Sequence, residues 1–138
     1  MNRTEAREYL MQIAFQMEVQ DDFSEDALEK FYELNIGEDD LNQKKFIFAV
    51  CKALRDNKKT IDETIESYSK GWKLGRIAKV DLALMRISLA ESFYLPEDER
   101  TPVGASISEA VKLAKKYGSS NSAKFINGIL GEISRTRS

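Results

Sequence analysis

TPVGASISEAVKLAKKYGSSNSAKFINGILGEIS, residues 101 to 134, decides the fold of this 138-residue chain. The stretch reads as two helices joined by a short polar turn. Ser106 precedes Glu109 by three residues, the spacing at which a hydroxyl and a glutamate satisfy free amides at a helix start, so the first helix is predicted from about Ile107. Ile107, Ala110, Val111, Ala114 and Tyr117 recur at steps of three and four and form one inward stripe, with Lys112, Lys115 and Lys116 facing the other way. Gly118 stands where a left-handed residue would close the helix, and the lysines of the last turn complement the negative end of its dipole. Asn121 or Ser120 can cap a second helix whose apolar residues, Ala123, Ile126, Ile129, Leu130 and Ile133, keep the helical period. Asn127-Gly128 would turn a hairpin if its flanks alternated. They do not, so the helix continues through a glycine that costs roughly 1 kcal/mol against alanine and that usually lets another backbone approach.

Upstream, a helix is predicted from Ile77 to about Leu95. Val80, Leu84, Ile87 and Ala90 mark one face and Ala83, Met85, Leu89 and Phe93 broaden it, which places this helix at the centre of the fold. Pro96 and the charged PEDER loop end it, because proline cannot continue the backbone ladder. Gly71 and Gly75 bracket Trp72, expected as an apolar anchor in the core. From Leu41 to Ser69 the residues Ile47, Val50, Cys51, Leu54, Lys58, Ile61, Ile65 and Tyr68 keep a helical stride, with Asp56-Asn57 as the place for a kink. The acidic connector before it carries a short helix capped by Ser24, with Ala27, Leu28, Phe31 and Tyr32 gripping the body. Asn2 or Thr4 can cap the first helix, which runs to about Val19 with Ala6, Leu10, Ile13, Ala14 and Met17 inward. Arg3 and Arg7, four apart, are neighbours on that helix. The sum is an all-α, compact single-domain bundle of about seven helices spanning residues 1–138.

Composition narrows function. Histidine is absent, which removes the usual general base and the commonest metal ligand. No glycine-rich phosphate cradle follows a strand, and neither an HExxH nor a paired-cysteine spacing occurs. Asp81 and Glu91 share a helix but face different neighbours, so they do not form an acid and base pair. The acidic connector lacks the ligand spacing of a calcium loop. An enzyme, a metal and a cofactor are therefore not expected. The single Cys51 lies in the apolar run FIFAVCKAL, where a small buried thiol fits. Neither a signal peptide nor a membrane-spanning stretch is evident, which points to a cytoplasmic protein with no membrane partner. The net charge of −2 is unevenly spread: Glu18 to Asp40 holds ten acids and one lysine, whereas Leu41 to Ser138 holds eighteen bases and eleven acids. Such asymmetry suits a mildly basic face for a polyanion.

The run SISEAVKLAKKYG followed by SSNSAKFINGIL resembles the C-terminal signature of the NusB family of bacterial transcription antitermination factors. KVDLALMRISLAE resembles that family's central helix, with its acid, its leucine-arginine pair and its closing glutamate. The resemblance covers essentially the whole chain and is strongest from Trp72 to Leu130. It implies an adaptor that pairs with NusE, a small-subunit ribosomal protein, binds the boxA element of nascent single-stranded RNA, and helps RNA polymerase pass terminators in ribosomal RNA operons. Carried over, Arg3, Arg7 and Phe15 match the N-terminal RNA-contacting helix, Lys115, Lys116, Ser122, Lys124 and Phe125 match the C-terminal part of that surface, and Asp81 matches an acid on the NusE-facing helix. Relatives usually carry a denser arginine segment at the N-terminus, of which two arginines match here. Asn121 stands where some relatives carry an acid, which removes a negative charge beside the phosphate path. The same fold also occurs as the N-terminal domain of certain ribosomal RNA methyltransferases, so the alternative is a stand-alone protein-interaction module without strong RNA binding.

Overall fold

A computed structural model describes residues 1–37 and 40–137; Glu38 and Asp39 of the acidic connector lie outside the described residues. Among the described residues six α-helices make up the fold: α1 (Arg3–Gln20), α2 (Glu25–Asn35), α3 (Leu41–Tyr68), α4 (Lys79–Leu89), α5 (Val103–Tyr117) and α6 (Ser122–Arg137). Short 3-10 turns at Leu74–Arg76 and Glu97–Glu99 and a π-wound turn at Ala90–Tyr94 complete the described elements, so the expected count of about seven helices becomes six.

The expected periodicities are what the packing uses. Asn2 caps α1, its side chain accepting from the Glu5 amide at 2.8 Å while Glu5 accepts from the Asn2 amide at 3.0 Å. Ser24 caps α2, from which Leu28, Phe31 and Tyr32 are buried. α3 is one helix kinked at Asn57, whose φ of −123° and ψ of 16° leave the helical region; the Asn57 amide donates to the Ala53 carbonyl at 2.8 Å. α4 is the hub. Every residue from Asp81 to Ser92 is buried, and the helix packs against α1, α3, α5 and α6. Its last turn widens into the π-wound segment, and Leu95, extended at ψ 161° before Pro96, ends it.

Several local expectations are overturned. α5 begins at Val103, one turn earlier than Ile107, behind Pro102. Ser106 does not cap it: the residue is buried against α4, and its hydroxyl bonds the Ser88 hydroxyl at 2.7 Å and the Ser88 carbonyl at 3.1 Å. Gly118 is extended (φ −90°, ψ −173°) rather than left-handed, and glycine is required there for space, because a β-carbon would stand 2.5 Å from Ser122 Oγ and 2.8 Å from the Ala114 carbonyl. Gly128 receives no approaching backbone. Nothing lies within 4 Å of the β-carbon position, which faces an open groove. On α5 the inward residues are Ala110, Leu113 and Ala114, whereas Ile107 and Val111 are half-buried and Tyr117 is exposed.

Candidate functional site

Two surfaces result, one along the seam of α1 and α5 and one at the C-terminal end of α3. The seam is built by charge. Arg7 is only 7% exposed, and its guanidinium grips Glu91 of the π-wound turn, Nε to both carboxylate oxygens at 3.1 and 3.0 Å and Nη2 to Oε1 at 2.7 Å. Glu91 is itself 1% exposed, so this is a buried fork-to-carboxylate pair. Arg7 Nη1 lies 3.4 Å from Glu109 of α5, which also accepts from Thr4 Oγ1 at 3.1 Å and stands 3.0 Å from Lys112 Nζ. Burial raises the Glu109 carboxyl, but the hydrogen bonds of Lys112 and Thr4 outweigh it and hold the group below the usual glutamate range. One turn along α1, Glu8 reaches the end of α5, where it accepts from the Tyr117 hydroxyl at 2.5 Å and from Lys116 Nζ at 3.1 and 3.4 Å. The Tyr117 hydrogen bond, with Lys116 adding to it, lowers the Glu8 carboxyl, and Glu8 in turn raises Lys116.

This seam sets the availability of the expected RNA contacts. Phe15, expected more readily as packing, is 38% exposed on the outer face of α1. Lys115, Lys116 and Lys124 are exposed, and neither Lys115 nor Lys124 has an ion-pair partner among the described residues. Arg3 is half-buried with its guanidinium 3.9 Å from the centre of the Phe46 ring, and burial, together with the nearby Arg7 charge, lowers its pKa. Arg7 and Ser122 are interior. Ser122, 1% exposed, accepts from the Ser119 amide at 2.9 Å and so shapes the turn between α5 and α6. Any contribution of Arg7 and Ser122 to an RNA surface is one of position.

The second surface opens around Trp72, which lies outside the core. Lys70 and Gly71 take positive φ, 52° and 91°, and this reversal leaves the indole 53% exposed. Trp72 and Phe125 wall a groove of about 530 Å³ that Tyr68, Lys124, Gly128 and Arg135 also line. A smaller recess of about 210 Å³ shares Trp72, Asn121 and Phe125 and reaches Arg76, Ser122 and Asp81. Asp81 is the third residue of α4, where a carboxylate complements the positive helix end; it is 6% exposed, and its Oδ1 is buried without a hydrogen-bond partner among the described residues. Phe125 therefore belongs to the groove, whereas Tyr117 is an exposed ring at the seam and Phe15 is exposed two turns beyond Glu8 on α1. Sequence reading placed Tyr117 and Trp72 inward and gave Glu8 no partner across the seam. The one signal available for Trp72 was its glycine flank, which marks a turn rather than an anchor.

Comparison with known proteins places the architecture. The NusB family model matches residues 4–135. The chain belongs to the NusB family. It is 40% identical over 140 residues to the transcription antitermination protein NusB of Acetivibrio thermocellus, covering 99% of this chain and 91% of that protein. Against the NusB protein of Clostridium perfringens the identity is 42% over 137 residues, with 96% of each chain covered. The solved structure of T. maritima NusB superposes with a TM-score of 0.84 at 30% identity, over 98% of this chain and 92% of that one. These NusB relatives are bacterial and are named for transcription antitermination, a role that is not enzymatic. No helix among the described residues is long and apolar enough to cross a membrane.

Proposed function

We propose that this NusB-family chain is an RNA-binding adaptor of transcription antitermination, which takes up boxA-type single-stranded RNA together with NusE and so promotes readthrough by RNA polymerase in ribosomal RNA operons. The observation that carries the reading is the seam, where the exposed lysines at the end of α5 lie beside an α1 face that displays Phe15. Lysines hold phosphates and fix register; exposed aromatic rings stack on splayed bases, at about 1 to 3 kcal/mol per base. Lys115 and Lys116 supply the first kind of contact, with Lys124 just beyond the turn, and Phe15 supplies the second. NusE is assigned to the groove and its recess. An exposed tryptophan beside a half-buried phenylalanine, over a carboxylate oxygen that lacks a donor, is the composition of a protein-docking centre.

The second reading, a protein-interaction module without strong RNA binding, is favoured by one observation: Arg7 and Lys116, two of the five matched cations, are already engaged by Glu91 and Glu8. Titrating boxA and scrambled RNA with and without NusE separates the two. The adaptor reading expects boxA preference with NusE present, a uniform loss and a flatter salt slope for Lys115→Ala with Lys116→Ala, and loss of preference for Phe15→Ala. Trp72→Ala should weaken NusE capture while leaving the thermal midpoint nearly unchanged. If NusE binds and neither RNA does, the module reading replaces it.

A further inference from the structure

The contact of Glu8 with Lys116 and Tyr117 is unlike the other ion pairs of the seam. Arg7 with Glu91 is buried and locks two elements together. Glu109 is shared among three donors. Glu8, its side chain 23% exposed, instead reaches from α1 to an ammonium that is 59% exposed and to a phenol at the protein surface. Its two oxygens receive the Lys116 ammonium at 3.1 and 3.4 Å and the Tyr117 hydroxyl at 2.5 Å. Two donors converging on one oxyanion is how the non-bridging oxygens of a phosphodiester are held, and a carboxylate presents the same paired acceptors.

We propose that Lys116 and Tyr117 form a phosphate seat for single-stranded RNA and that the Glu8 carboxylate fills this seat in the free protein, acting as a built-in competitor of RNA. The proposal rests on the RNA-binding reading and deepens it. An exposed pair contributes little to the fold, so a phosphate can displace it at small cost. Displacement frees one cation beside Lys115, which has no ion-pair partner among the described residues. Phe15 follows Glu8 by seven residues, two turns along the same face of α1, at roughly 10 Å. A backbone anchored at the seat thus passes Phe15 within reach of a neighbouring base. The competitor raises the threshold for weak, sequence-independent binding, because a phosphate contact alone must first expel Glu8, while an RNA that also stacks on Phe15 has a second source of affinity.

The test is a titration of full-length protein with an unstructured boxA RNA and an oligouridine of equal length. Glu8→Gln should tighten both RNAs roughly 3- to 10-fold at about 0.1 M salt, tighten oligouridine at least as much as boxA, and steepen the salt slope by about 0.7, the increment for one phosphate on a single strand. In a Lys116→Ala background the same change should yield no gain, because the freed cation is missing. Glu8→Ala, which removes the acceptor altogether, should behave as Glu8→Gln does, and far-UV circular dichroism should match wild type for both. An unchanged or weakened affinity in Glu8→Gln overturns the proposal, as does a gain that persists without Lys116, which would mark a general charge effect. If neither wild type nor Glu8→Gln binds any RNA, the RNA-binding reading falls together with the seat; if wild type binds and Glu8→Gln is no different, the seat alone falls.

Discussion

Two glycines in this chain should respond to the same substitution with opposite signs. Gly118 has an extended backbone that any residue adopts, so on backbone grounds Gly118→Ala should gain about 0.4 to 1 kcal/mol by restricting the unfolded chain. The surroundings reverse that. A β-carbon at Gly118 would sit 2.5 Å from Ser122 Oγ, 2.6 Å from Ser122 Cβ and 2.8 Å from the Ala114 carbonyl oxygen. None can yield easily: Ser122 is 1% exposed and held by the Ser119 amide, and the Ala114 carbonyl accepts the Gly118 amide itself at 2.8 Å. Overpacking of this kind costs about 1 to 3 kcal/mol, which exceeds the entropic gain and leaves a net loss of roughly 1 to 2 kcal/mol. Gly128 lies inside α6, and nothing stands within 4 Å of its β-carbon position, so Gly128→Ala should gain roughly 1 kcal/mol from helix propensity. Urea denaturation followed by circular dichroism reads both. With a denaturant slope of about 1 to 3 kcal/mol per molar, Gly118→Ala should lower the midpoint by roughly 0.5 to 1 M and Gly128→Ala should raise it by a comparable amount. A Gly118→Ala midpoint at or above wild type refutes the close-packing argument. Gly128→Ala carries a further consequence under the proposed function, since the added methyl enters the groove and should weaken NusE capture even as the fold is strengthened.

Arg86 is fully buried and donates to Asp62 at 2.8 Å from Nε and Nη2 and to Glu18 at 2.7 Å from Nη1; Arg86→Met takes this partner from both carboxylates, leaving Asp62 only Lys58 at 3.1 Å, and should cost about 3 kcal/mol in urea denaturation, a loss below 1 kcal/mol counting against the clamp. Cys51 is buried and its thiol is pushed up to about 12, so an aromatic disulfide reagent at pH 8 should react only at the rate of unfolding; rapid labelling in native buffer would contradict this. Glu8, Glu109 and Asp40 all have carboxyls held below their ordinary values in the folded state. A depressed folded pKa gives stability that is present above the unfolded value and is lost as pH falls through the folded one. The midpoint should therefore be flat near neutrality and decline below about pH 4.5, the ordinary glutamate value, and a rise in stability on acidification would refute the sign.

The helices were legible because each buries one stripe against a neighbour, and that stripe is written at short range: Ala6, Leu10, Ile13, Ala14 and Met17 on α1, or Ile126, Leu130 and Ile133 on α6, are buried as their spacing predicts. What escaped is what depends on distant residues. Ser106 has the spacing of a cap, but its hydroxyl is claimed by Ser88, eighteen residues earlier, as α5 closes on α4. Gly118 looks like a helix stop in either case, and only the packing of Ser122 behind it distinguishes space from handedness. Arg7 sits between Glu5 and Glu8 like any surface arginine, yet its partner is Glu91, on a turn wound by a different part of the chain. Trp72 failed in the other direction. Its size suggested the core, while the positive φ of Lys70 and Gly71 carries it outward.

That division of the arginines bears on how α1 can work as a recognition element. Near its start the helix is tied by Arg7 to Glu91 and Glu109, and near its end Glu18 is tied to Arg86 of α4. The inward residues between them are packed into the core, so the outward positions Gln12 and Phe15 are presented from a helix fixed at both ends. A rigid platform lowers the ordering cost of binding. It also removes charge from the surface, because the arginine that fixes α1 cannot simultaneously neutralise a phosphate. Under the proposed function, Arg3 and Arg7 would add two cations to an RNA face if both were free; with Arg7 in the interior and Arg3 stacked on Phe46, the sequence-independent part of that affinity would fall to the lysines of α5 and α6. Every phosphate left without a cation flattens the salt slope by about 0.7 on a single strand, so binding by the chain alone is expected to be weak and shallow in salt dependence. Under the proposed function, tight and selective uptake of boxA then falls to the stack on Phe15 and to the surface that NusE brings to the groove.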